Sequence, residues 1–129
     1  MIRGTSLLSL TRTYLRPGIR GKEYVNVTAK LATGLAEMFA PSWDLVMSHK
    51  QGRLTNAGYT EGYHTLLESI PLGQILHFQE AQLAVSPTCV FTCFCPDGAW
   101  CHTHLLIDWL VENHPLLFAD VRQPWLKPQ

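Results

Sequence analysis

Residues 89–104, with the sequence CVFTCFCPDGAWCHTH, decide the fold of this chain. The first part, Cys89–Cys95, is a run of apolar and β-forming residues, which predicts a central strand buried on both faces. Apolar residues at helical spacing follow and end before His114-Pro115, and they predict a deeply buried helix over about Trp100–Asn113. A buried strand that leads directly into a helix is the basic unit of α/β proteins.

Weaker signals along the rest of the chain complete this pattern. Residues 5–14 and 24–28 are rich in β-forming side chains and predict two early strands, and residues 120–122 predict a short last strand. Between them, apolar residues at helical spacing predict three helices, the second with Thr55 as its N-cap. Residues 31–39 fit a short helix or an ordered loop.

The composition supports one domain over residues 1–129. The chain is long enough to bury a core, and 47% of its residues are hydrophobic. We expect the α/β class, with a small, mostly parallel sheet flanked by helices; an α+β domain and an irregular fold held by zinc are the alternatives.

The formal net charge of zero argues against nucleic acid as a partner. No apolar run approaches the ~20 residues that a bilayer crossing needs, and clustered cysteines fit reduced thiols in a cytoplasmic protein.

Basic residues are concentrated in the N-terminal part of the chain. Eight of the ten Lys and Arg residues lie at or before Arg53, where there are only three acidic residues. Such a basic region either lines an anion site or forms solvated surface. If it lines a site, Arg12, Lys30 and Arg53 are the candidate cations.

Several short motifs resemble the domain-of-unknown-function family 488, over about residues 22–112. The motifs are Val25-Asn-Val-Thr-Ala-Lys30, Phe39-Ala-Pro-Ser-Trp43, Lys50-Gln-Gly-Arg-Leu-Thr55, Tyr59-Thr-Glu-Gly-Tyr63, Cys93-Phe-Cys95 and Cys101-His102. The resemblance implies a compact α/β fold in bacterial or phage proteins with no established activity. The family's helix usually starts with Cys-His-Arg, whereas this chain has Thr103 in the third place. If the family's Arg binds an anion, this chain must use another base.

The junction between the predicted strand and helix is the candidate ligand site. Ligands of parallel sheets bind at the carboxyl ends of the strands, where helix N-termini present free N–H groups. The loop residues Asp97 and Gly98 allow close backbone approach to a phosphate, and Cys95, His102 and His104 lie beside them in the sequence. These residues predict binding or processing of a phosphate-bearing small molecule, such as a nucleotide.

The second predicted strand contributes further candidates on one condition. If it runs parallel to the cysteine strand, its last residues reach the same edge of the sheet. Asn26, Thr28 and Lys30 would then be ligand-binding residues.

A nucleophilic thiol is a second interpretation of the junction. Cys101 lies at the predicted helix start beside His102, where the helix dipole and a neighbouring imidazole favour the thiolate. In this interpretation Cys101 and His102 are the catalytic residues.

Zinc is a third interpretation, with Cys93, Cys95, Cys101 and either His102 or His104 as ligands. The spacing argues against it, because an extended strand points Cys93 and Cys95 to opposite faces. We therefore predict no bound metal and no cofactor. Two further interpretations remain: the cysteines only pack the core, or the chain is a non-catalytic interaction protein, for instance a phage-encoded modulator of a host enzyme.

Overall fold

Four short strands form the centre of the structure, a computed structural model that describes residues 6–95 and 100–122. The strands are β1 (Leu8–Tyr14), β2 (Tyr24–Asn26), β3 (Thr88–Cys93) and β4 (Phe118–Asp120). They lie in the order β2-β3-β1-β4, and each neighbouring pair is parallel. The predicted α/β class and small sheet are confirmed, and the sheet of the described residues is parallel throughout.

Helices lie in two of the three connections between strands, and residues 15–23 join β1 to β2 without a helix. A 3₁₀ helix (Gly34–Phe39), α1 (Trp43–Lys50), α2 (Asn56–Glu68) and α3 (Leu72–Leu83) lie between β2 and β3, and α4 (His102–Asn113) lies between β3 and β4. Thr55 is the N-cap of α2, as predicted, and accepts a hydrogen bond from the N–H of Gly58 at 3.0 Å. Among the described residues, no helix combines the length and the apolar character that crossing a bilayer requires.

The cysteine strand is central, as predicted. β3 lies between β1 and β2, and Cys89 and Phe91 are fully buried in the hydrophobic core. Leu106 and Leu110 of α4 belong to the same core, and α4 contacts both β1 and β3. Eight of the twelve residues of α4 are buried, so the prediction of a deeply buried helix is also confirmed.

Each predicted strand has a boundary that is wrong. β1 begins at Leu8 and β2 ends at Asn26, so both are shorter than the predicted segments 5–14 and 24–28. β3 ends at Cys93, and beyond it the carbonyl of Cys95 accepts from the side chain of Arg12, at 2.8 Å, in place of a backbone N–H of a neighbouring strand. The last strand is Phe118–Asp120 and overlaps the predicted segment only at Asp120. Phe118 is buried opposite Leu8 on β1, which fixes the start of this strand two residues earlier than predicted.

Strands β1, β2 and β3 end at the same edge of the sheet. Tyr14 pairs with Cys93 at the end of one ladder, and Asn26 pairs with Thr92 at the end of the other. The condition for β2 to contribute to the site, that it runs parallel to β3, is therefore met. This edge is where the chemistry-bearing side chains are found.

Candidate functional site

Three cysteines meet at the carboxyl edge of the sheet. Cys93 is the last residue of β3, Cys95 follows in the loop, and Cys101 is the N-cap of α4. Their sulfur atoms all lie within 4.8 Å of one another, and the Sγ atoms of Cys93 and Cys101 are 2.9 Å apart. All three are free thiols. We call Cys93, Cys95 and Cys101 the thiol cluster.

The prediction that Cys93 and Cys95 point apart is wrong. It assumed that both lie on an extended strand, whose side chains alternate between faces. Because β3 ends at Cys93, the chain is free to turn, and the sulfur of Cys95 lies on the same side as the other two. The spacing argument against a metal therefore no longer applies.

Arg12 of β1 holds the thiol cluster from the neighbouring strand. Its Nη2 donates to the sulfur of Cys93 at 3.0 Å and to the carbonyl of Cys95 at 2.8 Å, and its Nε donates to Oγ1 of Thr103 at 3.0 Å. Of the three candidate cations, Arg12 is the one bonded to the cluster. Its guanidinium thereby reaches Thr103, the second residue of α4.

The cluster concentrates negative charge on Cys101. Hydrogen bonds from the Cys93 and Cys95 thiols and from Oγ1 of Thr103, at 3.2 Å, lower the pKa of Cys101 to about 3, although burial opposes this shift. The same interaction raises the pKa of Cys95, because its thiol is a donor to Cys101. The N-terminus of α4 adds a positive dipole end at this point. The metal-free cluster is therefore best described as one thiolate stabilised by neighbouring donors.

His102 is buried beside the cluster with a defined tautomer. Its Nε2 lies 2.8 Å from the carbonyl oxygen of Val27, which can only accept, so Nε2 carries the hydrogen. Nδ1 therefore presents a lone pair, 3.9 Å from the sulfur of Cys101. Burial lowers the pKa of His102, so the ring is neutral at physiological pH. This arrangement leaves Nδ1 able to accept a proton from a molecule that binds beside Cys101.

A cavity of about 170 Å³ opens onto the thiol cluster, and all three cysteines and His102 line it. Its walls are mainly aromatic and apolar, with Lys50 and Thr28 as polar members. His49 stacks on Trp100 with ring centroids 4.7 Å apart, and Tyr59 meets Trp100 edge-on at 4.9 Å. Besides His102, the aromatic lining residues are Trp43, His49, Tyr59, Phe94 and Trp100.

The β2 candidates take different positions. Thr28 lines the cavity, and its Oγ1 accepts from the N–H of Leu31 at 3.2 Å. Oδ1 of Asn26 accepts from the N–H of Thr28 at 2.9 Å, so Asn26 shapes the turn that follows β2. Nζ of Lys30 lies 4.1 Å from the ring centroid of Trp43. These residues are brought to the same edge of the sheet, as expected for a parallel β2.

His104 lies in a different cluster of α4. It is not among the described residues that line the cavity, and its Nδ1 accepts from Arg122 at 3.1 Å. Arg122 also pairs with Asp108 and Asp120.

The candidates Asp97 and Gly98 lie outside the described residues, so the predicted role of their loop stays a prediction. Cys89 is fully buried core, as expected.

From the sequence, Trp43 and Trp100 could stack a base, but Tyr59 and His49 were not identified as members of the aromatic wall. Tyr59 had the helical spacing of a core residue, and it is indeed buried, yet it also lines the cavity. His49 had no second metal ligand at a suitable spacing. Both residues reach the site because α1 packs against α2, and that contact has no local signal in the sequence.

A second cavity is larger but lacks reactive groups. It measures about 590 Å³, and Leu76, Gln79, Glu80 and Leu117 are among the residues that line it. Its described lining contains no thiol, imidazole or cationic side chain. Three thiols and two imidazoles line the smaller cavity, and these nucleophilic and basic groups make it the candidate site.

No family model, no curated protein and no solved structure matches this chain. The resemblance to the domain-of-unknown-function family 488 therefore stays a prediction. The functional argument rests on the geometry of the site itself.

Proposed function

We propose that the chain binds or processes a small molecule that combines a flat ring with a phosphate group, as nucleotides do. One observation carries this proposal: a single cavity joins aromatic side chains, a lysine and a thiol cluster at the carboxyl edge of a parallel sheet. That edge is where α/β proteins bind their ligands. Four free cysteines also favour a reducing compartment, so we propose a cytoplasmic location.

The ring of the ligand is assigned to the aromatic wall. Trp43 is 45% exposed and lines the cavity, so part of its ring is available to a ligand. The cavity, at about 170 Å³, is smaller than the pockets of roughly 300 Å³ and more that hold whole drug-sized molecules. It suits one ring system, with the rest of the ligand lying toward solvent.

The phosphate is assigned to the lysines and not to the start of α4. The lowered pKa of Cys101 puts negative charge at that helix start, and this charge repels a phosphate. Lys50 lines the cavity, and Lys30 lies over the ring of Trp43 on its wall. These two ammonium groups therefore lie on the side of the cavity that holds Trp43 or in its lining, whereas Arg12 is bonded to the thiol cluster.

Thiol catalysis is the second candidate function, and the geometry of Cys101 and His102 favours it. Sγ of Cys101, as the thiolate, would form a bond to an electrophilic carbon of the ligand, and the leaving group would depart with the electron pair of the broken bond. A water molecule would then attack that carbon while its proton passes to Nδ1 of His102, and the electron pair of the carbon–sulfur bond would return to Sγ as the thiolate. His102 would then give this proton to the leaving group.

The test is calorimetric titration of the purified full chain with the common ribonucleoside triphosphates, the free nucleosides and inorganic phosphate. We expect at least one nucleotide to bind more tightly than its nucleoside or phosphate alone. Trp43→Ala should weaken that binding about tenfold, the cost of a lost base–aromatic stack. Lys50→Gln should weaken nucleotide binding and leave nucleoside binding unchanged, with Lys22→Gln as the charge-matched control.

Equal affinity of the parent, Trp43→Ala and Lys50→Gln proteins would contradict the proposed site. Absence of binding to every probe would reject the proposed function and favour a non-catalytic interaction protein, such as a modulator of a host enzyme. For the thiol candidate, Cys101→Ser should abolish any conversion of the bound ligand while Cys89→Ser preserves it. Equal turnover by these two variants would exclude Cys101 as the nucleophile.

A further inference from the structure

We infer that Cys93, Cys95 and Cys101 form a binding site for a soft divalent metal ion, best matched by Zn²⁺, at the wall of the cavity. The three sulfurs come from a strand end, a loop and a helix N-cap, yet they lie within 4.8 Å of one another. Cysteine sulfur is a preferred ligand of zinc. This inference goes beyond the proposed function and does not depend on it.

The separations of the sulfur atoms suit a tetrahedral ion. Zinc–sulfur bonds of about 2.3 Å in tetrahedral geometry put sulfur atoms about 3.8 Å apart. The sulfur atoms of Cys93, Cys95 and Cys101 all lie within 4.8 Å of one another, which is compatible with this separation. The Cys93 and Cys101 sulfurs, 2.9 Å apart, would open by about 1 Å on binding. A rotation of either side chain is sufficient for such a change.

The surroundings of the sulfurs supply a second, independent observation. Arg12 donates to the sulfur of Cys93 at 3.0 Å, and Thr103 donates to the sulfur of Cys101 at 3.2 Å. Donors of this kind orient metal ligands and tune their charge. Three thiolates and one Zn²⁺ sum to a single negative charge, which the guanidinium of Arg12 balances. A buried centre without net charge avoids the cost of an unpaired buried ion.

The fourth coordination position is assigned to the cavity. Among the described residues, the group whose donor atoms lie within 4.8 Å of one another contains the three cysteines and no histidine. All three cysteines line the cavity, so an ion held by them borders the space that the ligand would occupy. Three protein ligands with one open position are typical of catalytic zinc, and closed sets of four are typical of structural zinc.

Metal binding and thiol catalysis are alternative uses of Cys101. A sulfur that donates its lone pair to the ion is not available for attack on a ligand. Occupancy of the metal site therefore decides against the thiol candidate, and it leaves ligand binding in the cavity intact.

The experiment is elemental analysis and native mass spectrometry of the full chain, purified without chelator, followed by replacement of the metal with cobalt(II). We expect one zinc per chain, and a cobalt form with sulfur-to-cobalt charge-transfer bands and the intense visible bands of a tetrahedral ion. Cys95→Ala should lose the metal, and Cys95 is only half-buried, so this variant is expected to fold. Cys89→Ala removes a buried thiol from the same strand outside the cluster and should bind the metal like the parent. Arg12→Gln should weaken zinc binding by about 10–100-fold.

The assignment of the fourth position has its own readout. Addition of imidazole should shift the visible bands of the cobalt form, because this neutral nitrogen ligand can enter an open position without repulsion from the thiolates. An unchanged spectrum would overturn the open position.

Three outcomes would overturn the metal site itself. The first is an equal metal content of the Cys95→Ala and Cys89→Ala variants. The second is a cobalt spectrum typical of an octahedral ion. The third is a purified chain that contains no metal and has a disulfide bond between Cys93 and Cys101. Nucleotide titrations of the chelator-treated chain test the proposed function separately. Zinc without nucleotide binding rejects only that function, and nucleotide binding without zinc rejects only the metal site.

Discussion

At the scale of single residues, Thr103 connects the guanidinium of Arg12 to the thiolate of Cys101. It is fully buried, accepts from Nε of Arg12, and donates to the sulfur of Cys101. A hydroxyl can do both at once, because it has one donor and two acceptor sites. Thr103 and Arg12 together therefore bring a guanidinium and a hydrogen-bond donor to the thiol cluster.

Replacing Thr103 should make the Cys101 thiolate less stable. Thr103→Val keeps the shape but removes the donor, and we expect it to raise the pKa of Cys101 by about one to two pH units, since a hydrogen bond to a charged group contributes about 1.5–3 kcal/mol. Thr103→Ser retains the hydroxyl and should behave like the parent. Thiolate absorbance of the metal-free protein, followed against pH, measures the shift. Superimposable curves for the Val and Ser variants would show that the hydroxyl does not stabilise the thiolate.

Tyr63 provides a test of stability at a single buried hydroxyl. The side chain is fully buried, and its OH donates to the carbonyl of Phe39 at 2.5 Å. Tyr63→Phe leaves that carbonyl without its donor and should lower the free energy of unfolding by about 1–3 kcal/mol. Urea denaturation measures the loss, and Tyr24→Phe, at a half-buried strand residue, is the control. Equal stability of the two variants would mean that the Tyr63 hydroxyl contributes nothing.

At the scale of secondary-structure elements, the N-cap of α2 positions part of the cavity. Thr55 caps the helix, and Tyr59, one turn later, lines the cavity. The side chain of Thr55 satisfies the N–H of Gly58, one of the four N–H groups that a helix start leaves unpaired. Fraying of this first turn would therefore move an aromatic wall of the site.

Removal of this cap should destabilise the protein by about 1 kcal/mol. Thr55→Ala is the test, and the measurement is the denaturation midpoint in urea. Thr60→Ala is the matched control, because Oγ1 of Thr60 bonds only to the carbonyl of Asn56 one turn earlier in the same helix. A control variant that loses as much stability as Thr55→Ala would contradict the role of the cap.

The elements with strong local patterns were predictable. The apolar run of β3, the periodic apolar face of α4 and the capping Thr55 each act within a few residues, so the sequence alone indicates them. The thiol cluster was not predictable, because it depends on where β3 ends. A shift of two residues, from Cys95 to Cys93, converts diverging side chains into converging ones.

The role of Arg12 also depended on tertiary structure. Composition indicated a basic N-terminal part but could not select among its cations. The pairing of β1 with β3 places Arg12 opposite Phe91, two residues before Cys93. Strand order and register are long-range properties, and one sequence without a structure does not specify them.

At the scale of the whole molecule, α4 joins two polar clusters through the core. Its first residue, His102, lies beside the thiol cluster, and two residues later His104 contacts Arg122, which follows β4. Arg122 pairs with Asp108 on the same helix and with Asp120 at the end of β4. A change in charge or geometry at either cluster therefore acts on the same buried helix, α4.

This arrangement predicts a loss of stability in mild acid. Burial lowers the pKa of His104 from 6.5 to about 4, and the charges of Arg122 and Arg12 act in the same direction, whereas Asp108 and Cys93 oppose it. Below pH 6.5 the unfolded chain binds a proton at this imidazole, and the folded chain does not until about pH 4. The unfolded state then binds more protons, so the free energy of unfolding decreases as the pH falls through this window.

His104→Gln tests this acid sensitivity, because glutamine retains an acceptor for Arg122 but takes up no proton. Urea denaturation at a series of pH values from 7 to 4 should show a smaller loss of stability for this variant than for the parent. Some loss should remain, because burial lowers the pKa of His102 as well. His77→Gln, at an exposed position on α3, should follow the parent. A decline as steep in His104→Gln as in the parent would assign the acid sensitivity to other groups, and would show that His104 gains its proton equally easily in the folded and unfolded chains.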